Sequence, residues 1–363
     1  MKFKEIGSAF CTMESNKDEN DCNPNIPINA FQNIAYYSSC RDAIREVLEI
    51  EKKSSGVAIV PPFTCHAVLQ PFIEKGMDVL PYYIDKNLKI CTKKTLELVE
   101  QVKPVCFLYH PYFGFEEKEM TAIISKLKET GCLVIEDKTQ TMFSNYTNAE
   151  PDYIVGSLRK WVEIPDGGFL SSQSLNVQEA RDSFDALVEL ALSAMKMKCN
   201  YLINNIGDSS TYRNLFTQYE ELLDNNENIY RMSRYAKNTL QNYKWEDFRN
   251  RRRDNYNALL DGLNTIKEIE IIYKSIDEET VPFMFPIYIW NGRKDLQSYL
   301  AANKIYATAI WACPEILEKR VSEEVHSIYD HILCLAIDQR YTEEDMKRVV
   351  LCIKDYYSKG KIV

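Results

Sequence analysis

No stretch of this 363-residue chain is long and apolar enough to cross a bilayer. Its longest apolar runs, such as Gly56 to Pro62 and Val105 to Tyr109, are strand-sized. The N-terminus reaches Glu14 and Asp18 without the long apolar h-region of a secretory signal, so no signal peptide is expected. Basic charge is in short supply: 44 Lys and Arg face 53 Asp and Glu, a net charge of −9. That balance argues against a reader of nucleic-acid backbones and against binding to anionic membranes. Only 4 histidines occur, and none is spaced with cysteine as a zinc site requires. There is no Cys-x-x-Cys pair, and the 11 cysteines, an odd number, follow no disulfide framework. They read as reduced thiols of a cytoplasmic protein, several of them buried in apolar runs, as at Cys106, Cys132 and Cys334. Low-complexity tracts and internal repeats are absent.

What is present is an ordinary globular composition, with 45% hydrophobic and 27% charged residues, which excludes wholesale disorder. The length suggests two or three units of roughly 150 residues. After an irregular, polar first 30 or so residues, helical spacing runs from Arg41 to Lys52. Short apolar strands then alternate with helices. Gly56 to Pro61, Met77 to Ile84, Val105 to Tyr109, Cys132 to Glu136, Asp152 to Val155 and Gly168 to Leu170 read as strands. His66 to Lys75, Thr92 to Val102 and Glu117 to Thr130 read as helices. The alternation predicts a mostly parallel sheet covered on both faces, with ligands bound beyond the carboxyl ends of its strands. Residues from about Asn176 to Asn264 are strongly helical. Arg249, Arg251, Arg252 and Arg253 lie there on a charged helix that reads as a bridge between domains, with a solvated face favoured over a polyanion site. From Val281 a second, smaller α/β unit follows: strands Phe283 to Trp290, Ala307 to Trp311 and Ile332 to Ala336, with helices Arg293 to Asn303, Pro314 to Lys319 and Thr342 to Tyr357.

Three constellations carry chemistry. Glu136-Asp137-Lys138-Thr139-Gln140 follows a strand directly, where an aspartate can hold a positive charge in a buried pocket or simply cap a helix. Ser157-Leu158-Arg159-Lys160-Trp161, followed by Gly167-Gly168, places a lysine near a tight turn or a close backbone approach. A desolvated lysine there forms Schiff bases; the alternative is a surface lysine in a loop. Ser38-Ser39-Cys40-Arg41 opens a helix, whose N-terminal amides and hydroxyls make a phosphate seat or a plain cap. Together the three suit pyridoxal 5'-phosphate, which needs a lysine for its aldehyde, an aspartate for its ring nitrogen and a seat for its phosphate.

In that order the motifs resemble the DegT/DnrJ/EryC1/StrS family of sugar-nucleotide aminotransferases. The resemblance runs over nearly the whole chain from about Tyr37. It rests on Ser39 to Ile44, Pro61 to Cys65, Tyr83 to Leu88, Tyr109 to Gly114, Glu136 to Gln140, Tyr230 to Ser233, Arg251 to Leu260 and Phe285 to Ile287. It implies a fold type I α/β protein, with a large three-layer domain over residues 1–240 and a smaller C-terminal one over 241–363. The implied roles are Lys160 as Schiff-base lysine and proton carrier, Asp137 on the ring nitrogen, and Gln140 on the ring's phenolic oxygen. Ser157, with amides near Ser39, Cys40 and Arg41, would hold the phosphate.

The chain departs from the family pattern in several places. Ser157 and Lys160 are three apart rather than five. Cys40 and Arg41 replace a glycine and a threonine, so that Arg41 would either charge the phosphate seat or lie on the helix surface. Cys65 stands where an aromatic stacks on the ring, with His66 as a neighbouring substitute. Asn228 sits one residue early for the asparagine given by a neighbouring subunit. Arg159, Trp161, Tyr112 and Trp311 are candidates for the substrate cleft. The implied activity moves an amino group from an amino acid such as glutamate to a keto sugar linked to a nucleotide, in a homodimer with shared sites. A different reaction on the same scaffold, or a homologue kept for binding, are the alternatives.

Overall fold

Runs with almost no polar side chain, Val57–Val60 and Cys106–Tyr109, become neighbouring parallel strands, as segments covered on both faces do. In the computed structural model, which describes residues 5–13, 24–146, 150–175, 182–245 and 247–359, they form the centre of a larger sheet. The elements in chain order are β1 (Asn33–Tyr37), α1 (Cys40–Ile50), β2 (Val57–Val60), α2 (His66–Glu74), β3 (Asp78–Pro81), α3 (Thr92–Val102), β4 (Cys106–Tyr109) and α4 (Met120–Glu129). There follow β5 (Leu133–Asp137), β6 (Tyr153–Ser157) and β7 (Gly168–Ser172). The seven strands lie in the order β1-β7-β6-β5-β4-β2-β3. The pairings from β3 through β6 are parallel, and β7 is antiparallel to both its neighbours, β6 and β1. The mostly parallel sheet expected from the alternation is therefore present.

The chain steps outward in one direction from β2 to β3, then crosses back to β4 and continues through β5 and β6 the other way. A crevice opens at such a reversal, beyond the carboxyl ends of β2 and β4. One sheet face packs Ile44, Val47 and Leu48 of α1 and Leu69 and Phe72 of α2 against Val60, Leu108, Ile135 and Val155. The other packs Ile123, Ile124 and Leu127 of α4 on Ile59, Phe107 and Val134. Each of these side chains is almost completely removed from water, and such burial contributes about 25 cal/mol per Å² of apolar surface.

After the sheet come α5 (Asp185–Cys199) and α6 (Ser209–Asp224), a hairpin closed by Leu187, Ala191, Tyr219 and Leu223. Asp208 caps α6 by accepting from the amides of Ser210 and Thr211. Then follow α7 (Arg234–Gln241), α8 (Phe248–Leu263), β8 (Glu270–Ile271), β9 (Phe285–Tyr288), α9 (Arg293–Ala302), α10 (Glu315–Glu318), α11 (Glu323–His331), β10 (Ile332–Leu335) and α12 (Glu343–Lys359). β10, β9 and β8 form an antiparallel sheet under α8, α9 and α12. The strand expected over Ala307 to Trp311 is reduced to one bridge, Thr308 to Cys334, because Ile310 turns the chain into the left-handed region at φ 62°.

The arginine run is not simply a solvated face. Arg252 is 1% exposed and donates to the carbonyls of Pro282 and Phe283. Its guanidinium stacks 4.3 Å from the Trp161 ring, so it joins α8 to the segment carrying Lys160. Among the described residues no helix is long and apolar enough to cross a membrane.

Candidate active site

The residues that follow the carboxyl ends of four strands meet the N-terminus of α1 at one cleft enclosing about 500 Å³ of empty space, part of it open to solvent. Cys65 comes from the turn after β2, His110 follows β4, and Asp137 and Thr139 end β5. Ser157, Arg159 and Lys160 end β6, while Ser39, Cys40 and Arg41 open α1. Nothing adjacent in sequence brings these segments together; the crossover topology does.

α1 begins here because Ser39 has extended backbone and its Oγ accepts from the Asp42 amide at 3.1 Å. The helix has 11 residues, so its free amides and dipole favour an anion at this end. The twin glycines explain how the lysine-bearing turn comes so close. A Cβ on Gly168 would lie 2.2 Å from the Ser39 carbonyl carbon, so only glycine lets β7 run against the start of α1. Gly167 donates to Ser38 O at 2.7 Å and accepts from the amides of Leu158 and Arg159. The close backbone approach expected there is present. Trp161 then anchors the turn: its Nε1 donates to Thr139 O at 2.6 Å, and its own carbonyl accepts from Gln339 at 2.8 Å.

The Asp137 carboxylate is held by Thr139 N at 2.8 Å, and its Oδ2 lies 3.5 Å from His110 Nδ1. Burial pushes this carboxyl up, but the contacts with His110 and Thr139 outweigh it and hold the group below its ordinary value. It is therefore an anion at neutral pH. The Cys40 thiol, 3.8 Å from Asp137 Oδ1, is pushed well up by burial and by that anion. The Lys160 ammonium makes no hydrogen bond or ion pair with any described residue. Both ring nitrogens of His110 are buried without a well-formed hydrogen bond.

Beneath α1, Asp166 is fully buried and accepts from Ser233 N at 2.8 Å and Ser233 Oγ at 2.5 Å. Burial pushes its carboxyl up to about 7. The fold thus favours the protonated form, so this group's contribution is complete below the unfolded value near 4 and is lost as pH rises through about 7. Asp166→Asn is expected to flatten the fall in stability between pH 5 and 8. Urea unfolding at both pH values tests this, and an unchanged slope would refute it.

The structure places the sequence candidates unequally. Lys160, Asp137, Ser39, Cys40, Arg41, Cys65 and Ser157 line the cleft, as do Arg159 and Trp311. Arg41 is buried rather than on the helix surface, and its guanidinium donates to Leu223 O at 2.9 Å and Asp224 Oδ1 at 2.5 Å. His66 is exposed and does not line the cleft. Gln140 is buried behind it, accepting from Phe113 N at 2.6 Å. Asn228 lies on the surface of this chain, its amide accepted by Asn226 Oδ1 at 3.1 Å. Trp161 and Tyr112 are buried in the cores around the cleft. Sequence reasoning had no signal for Thr139 or for Leu223, which reaches the cleft from the end of α6.

No protein-family model matches the chain, and no curated protein matches it. Solved structures do. A DegT DnrJ EryC1 StrS aminotransferase from Brucella abortus aligns over 90% of this chain and 86% of its own, with TM-score 0.62 and 16% identity. The putative sugar aminotransferase Spr1654 from Streptococcus pneumoniae, in its PLP form, aligns over 91% and 88%, with TM-score 0.64 and 12% identity. DesI, solved in the presence of its TDP-sugar product, aligns over 91% and 82%, with TM-score 0.64 and 13% identity. The chain has the α/β fold of these proteins along almost its full length.

Proposed function

We propose that the protein is a pyridoxal-phosphate-dependent aminotransferase that moves an amino group from an amino acid, glutamate foremost, to a keto group of a nucleotide-linked sugar. One observation carries this reading: an unpaired lysine and a buried, anionic aspartate share a cleft with the N-terminus of a helix. Those residues fit the cofactor chemically. The α1 amides, with Ser39 and Ser157, would hold the phosphate. Asp137 would accept the hydrogen of the ring nitrogen and stabilise its positive charge, with His110 behind it. Lys160 would bind the aldehyde carbon, and its Nζ would later carry a proton away from the substrate's amino-bearing carbon. Bound there, pyridoxal phosphate supplies a sink for the electron pair left on that carbon.

The reading of a sugar acceptor is supported by the similar structures, one of them solved in the presence of its TDP-sugar product. As the motif resemblance implies, two copies of the chain would share their sites, which would give the exposed Asn228 a partner's cleft to enter. The test is incubation with pyridoxal phosphate, borohydride reduction and peptide mapping. Label on Lys160, followed in the unreduced protein by conversion to the pyridoxamine form with glutamate, supports the reading. Absence of label leaves a repurposed fold.

A further inference from the structure

At the position where the family resemblance implies a ring-stacking aromatic, Cys65 lines the cleft and His66 is exposed. Besides the His110 imidazole, an indole reaches the cleft from far along the chain. Trp311 packs 5.0 Å from Phe63 at 62° and 5.7 Å from His110, also at 62°. Phe63 belongs to the turn after β2 and His110 follows β4, so the indole is docked at the crevice where the sheet order reverses. Its presentation is unusual. Ile310, a β-branched residue, has φ 62°, a conformation such residues rarely adopt and keep only when their surroundings hold it. The Thr308 hydroxyl accepts from the Ile310 amide at 3.0 Å, the Trp311 amide donates to Ala309 O at 2.8 Å, and the Thr308 backbone is paired to Cys334 of β10. The strained turn fixes the indole at the cleft. The same side chain also lines a second, outer cleft with Arg293, Lys319, His326 and Asp330, so it forms the wall between the two.

We propose that Trp311 is a cofactor-binding residue, packing over the ring of pyridoxal phosphate and supplying the aromatic contact that Cys65 cannot. This rests on the reading given under Proposed function.

The test is equilibrium dialysis of the cofactor-free protein against pyridoxal phosphate with no substrate present. Melting curves confirm that each variant is folded. Trp311→Ala is expected to weaken binding about tenfold, and Trp311→Phe to recover most of it. Trp311→Leu, which keeps an apolar side chain without a ring, should bind as weakly as Trp311→Ala. If Trp311→Ala does not fold, the contrast between Leu and Phe decides. Leu or Ala variants that bind the cofactor as tightly as the wild type overturn the proposal, including when only the KM for the acceptor rises. Failure of the wild type itself to bind would instead remove the functional reading.

Discussion

Replacing Lys160 by alanine is expected to lower amine transfer by about 10⁴-fold. The lysine serves twice in the proposed reaction, first as the group that takes the cofactor and then as the carrier of the substrate's proton, and no second base in the cleft is placed to replace it. Arg159 is engaged with Glu220 at 3.1 Å, and its guanidinium does not give up a proton. The His110 imidazole lies against Asp137, its Nδ1 3.5 Å from the carboxylate. The fold should not suffer, because the lysine has no hydrogen bond or ion pair to lose and the turn that carries it is held by Trp161, Gly167 and Gln339. Half-reactions with glutamate, followed by absorbance, measure the loss. A residual rate within tenfold of wild type would exclude Lys160 as the proton carrier.

Asp137→Asn should cost about 10²- to 10³-fold in the same half-reaction. The substitution keeps the shape and the oxygen that accepts from Thr139 N, so the turn after β5 survives. What disappears is a fixed negative charge, placed in a buried cleft where its effect is large. Without it the ring nitrogen of a bound pyridoxal phosphate would lose its proton more readily, and the ring would draw electrons less. Because the native carboxyl is held below its usual value, its ionised form contributes stability above about pH 4 that is lost as pH falls through its folded value. The amide should be indifferent to that range. Comparing half-reaction rates and acid unfolding of the two proteins tests both halves; a wild-type rate in Asp137→Asn would place the ring nitrogen elsewhere.

The central strands were legible in the sequence because burial on both faces leaves an uninterrupted apolar run, as in Val57–Val60 and Cys106–Tyr109. Helix α3 shows the same clarity: Thr92–Val102 is found with the ends that periodicity gave. β1 left no such mark, since Asn33 is exposed and its neighbours form only a short mixed pattern. Helix α11 was hidden by its polar start, Glu323-Glu324, although Ser322 caps it through the Val325 amide. Within the cleft, Lys160, Asp137 and Ser39 carry their chemistry in their residue type and their place after a strand or before a helix. Leu223, Thr139 and the Arg41–Asp224 pair do not, because each depends on segments far apart in the chain, as Arg41 and Asp224 are. The contact of Trp311 with Phe63 was hidden for the same reason: no local pattern reveals that the indole reaches back across the chain.

The edge of the large sheet has a consequence for synthesis. Its edge strand β1 pairs along its length with β7, with Asn33 opposite Ser172 and Tyr37 opposite Gly168. At about 5–20 residues per second on a ribosome, the first strand waits roughly 10 s for its partner to be made. Throughout that wait the start of α1 lacks the close approach of Gly168 to Ser39. If pyridoxal phosphate binds as proposed, its phosphate seat is completed only once β7 has been made, so the ligand would stabilise a finished sheet rather than template an early one.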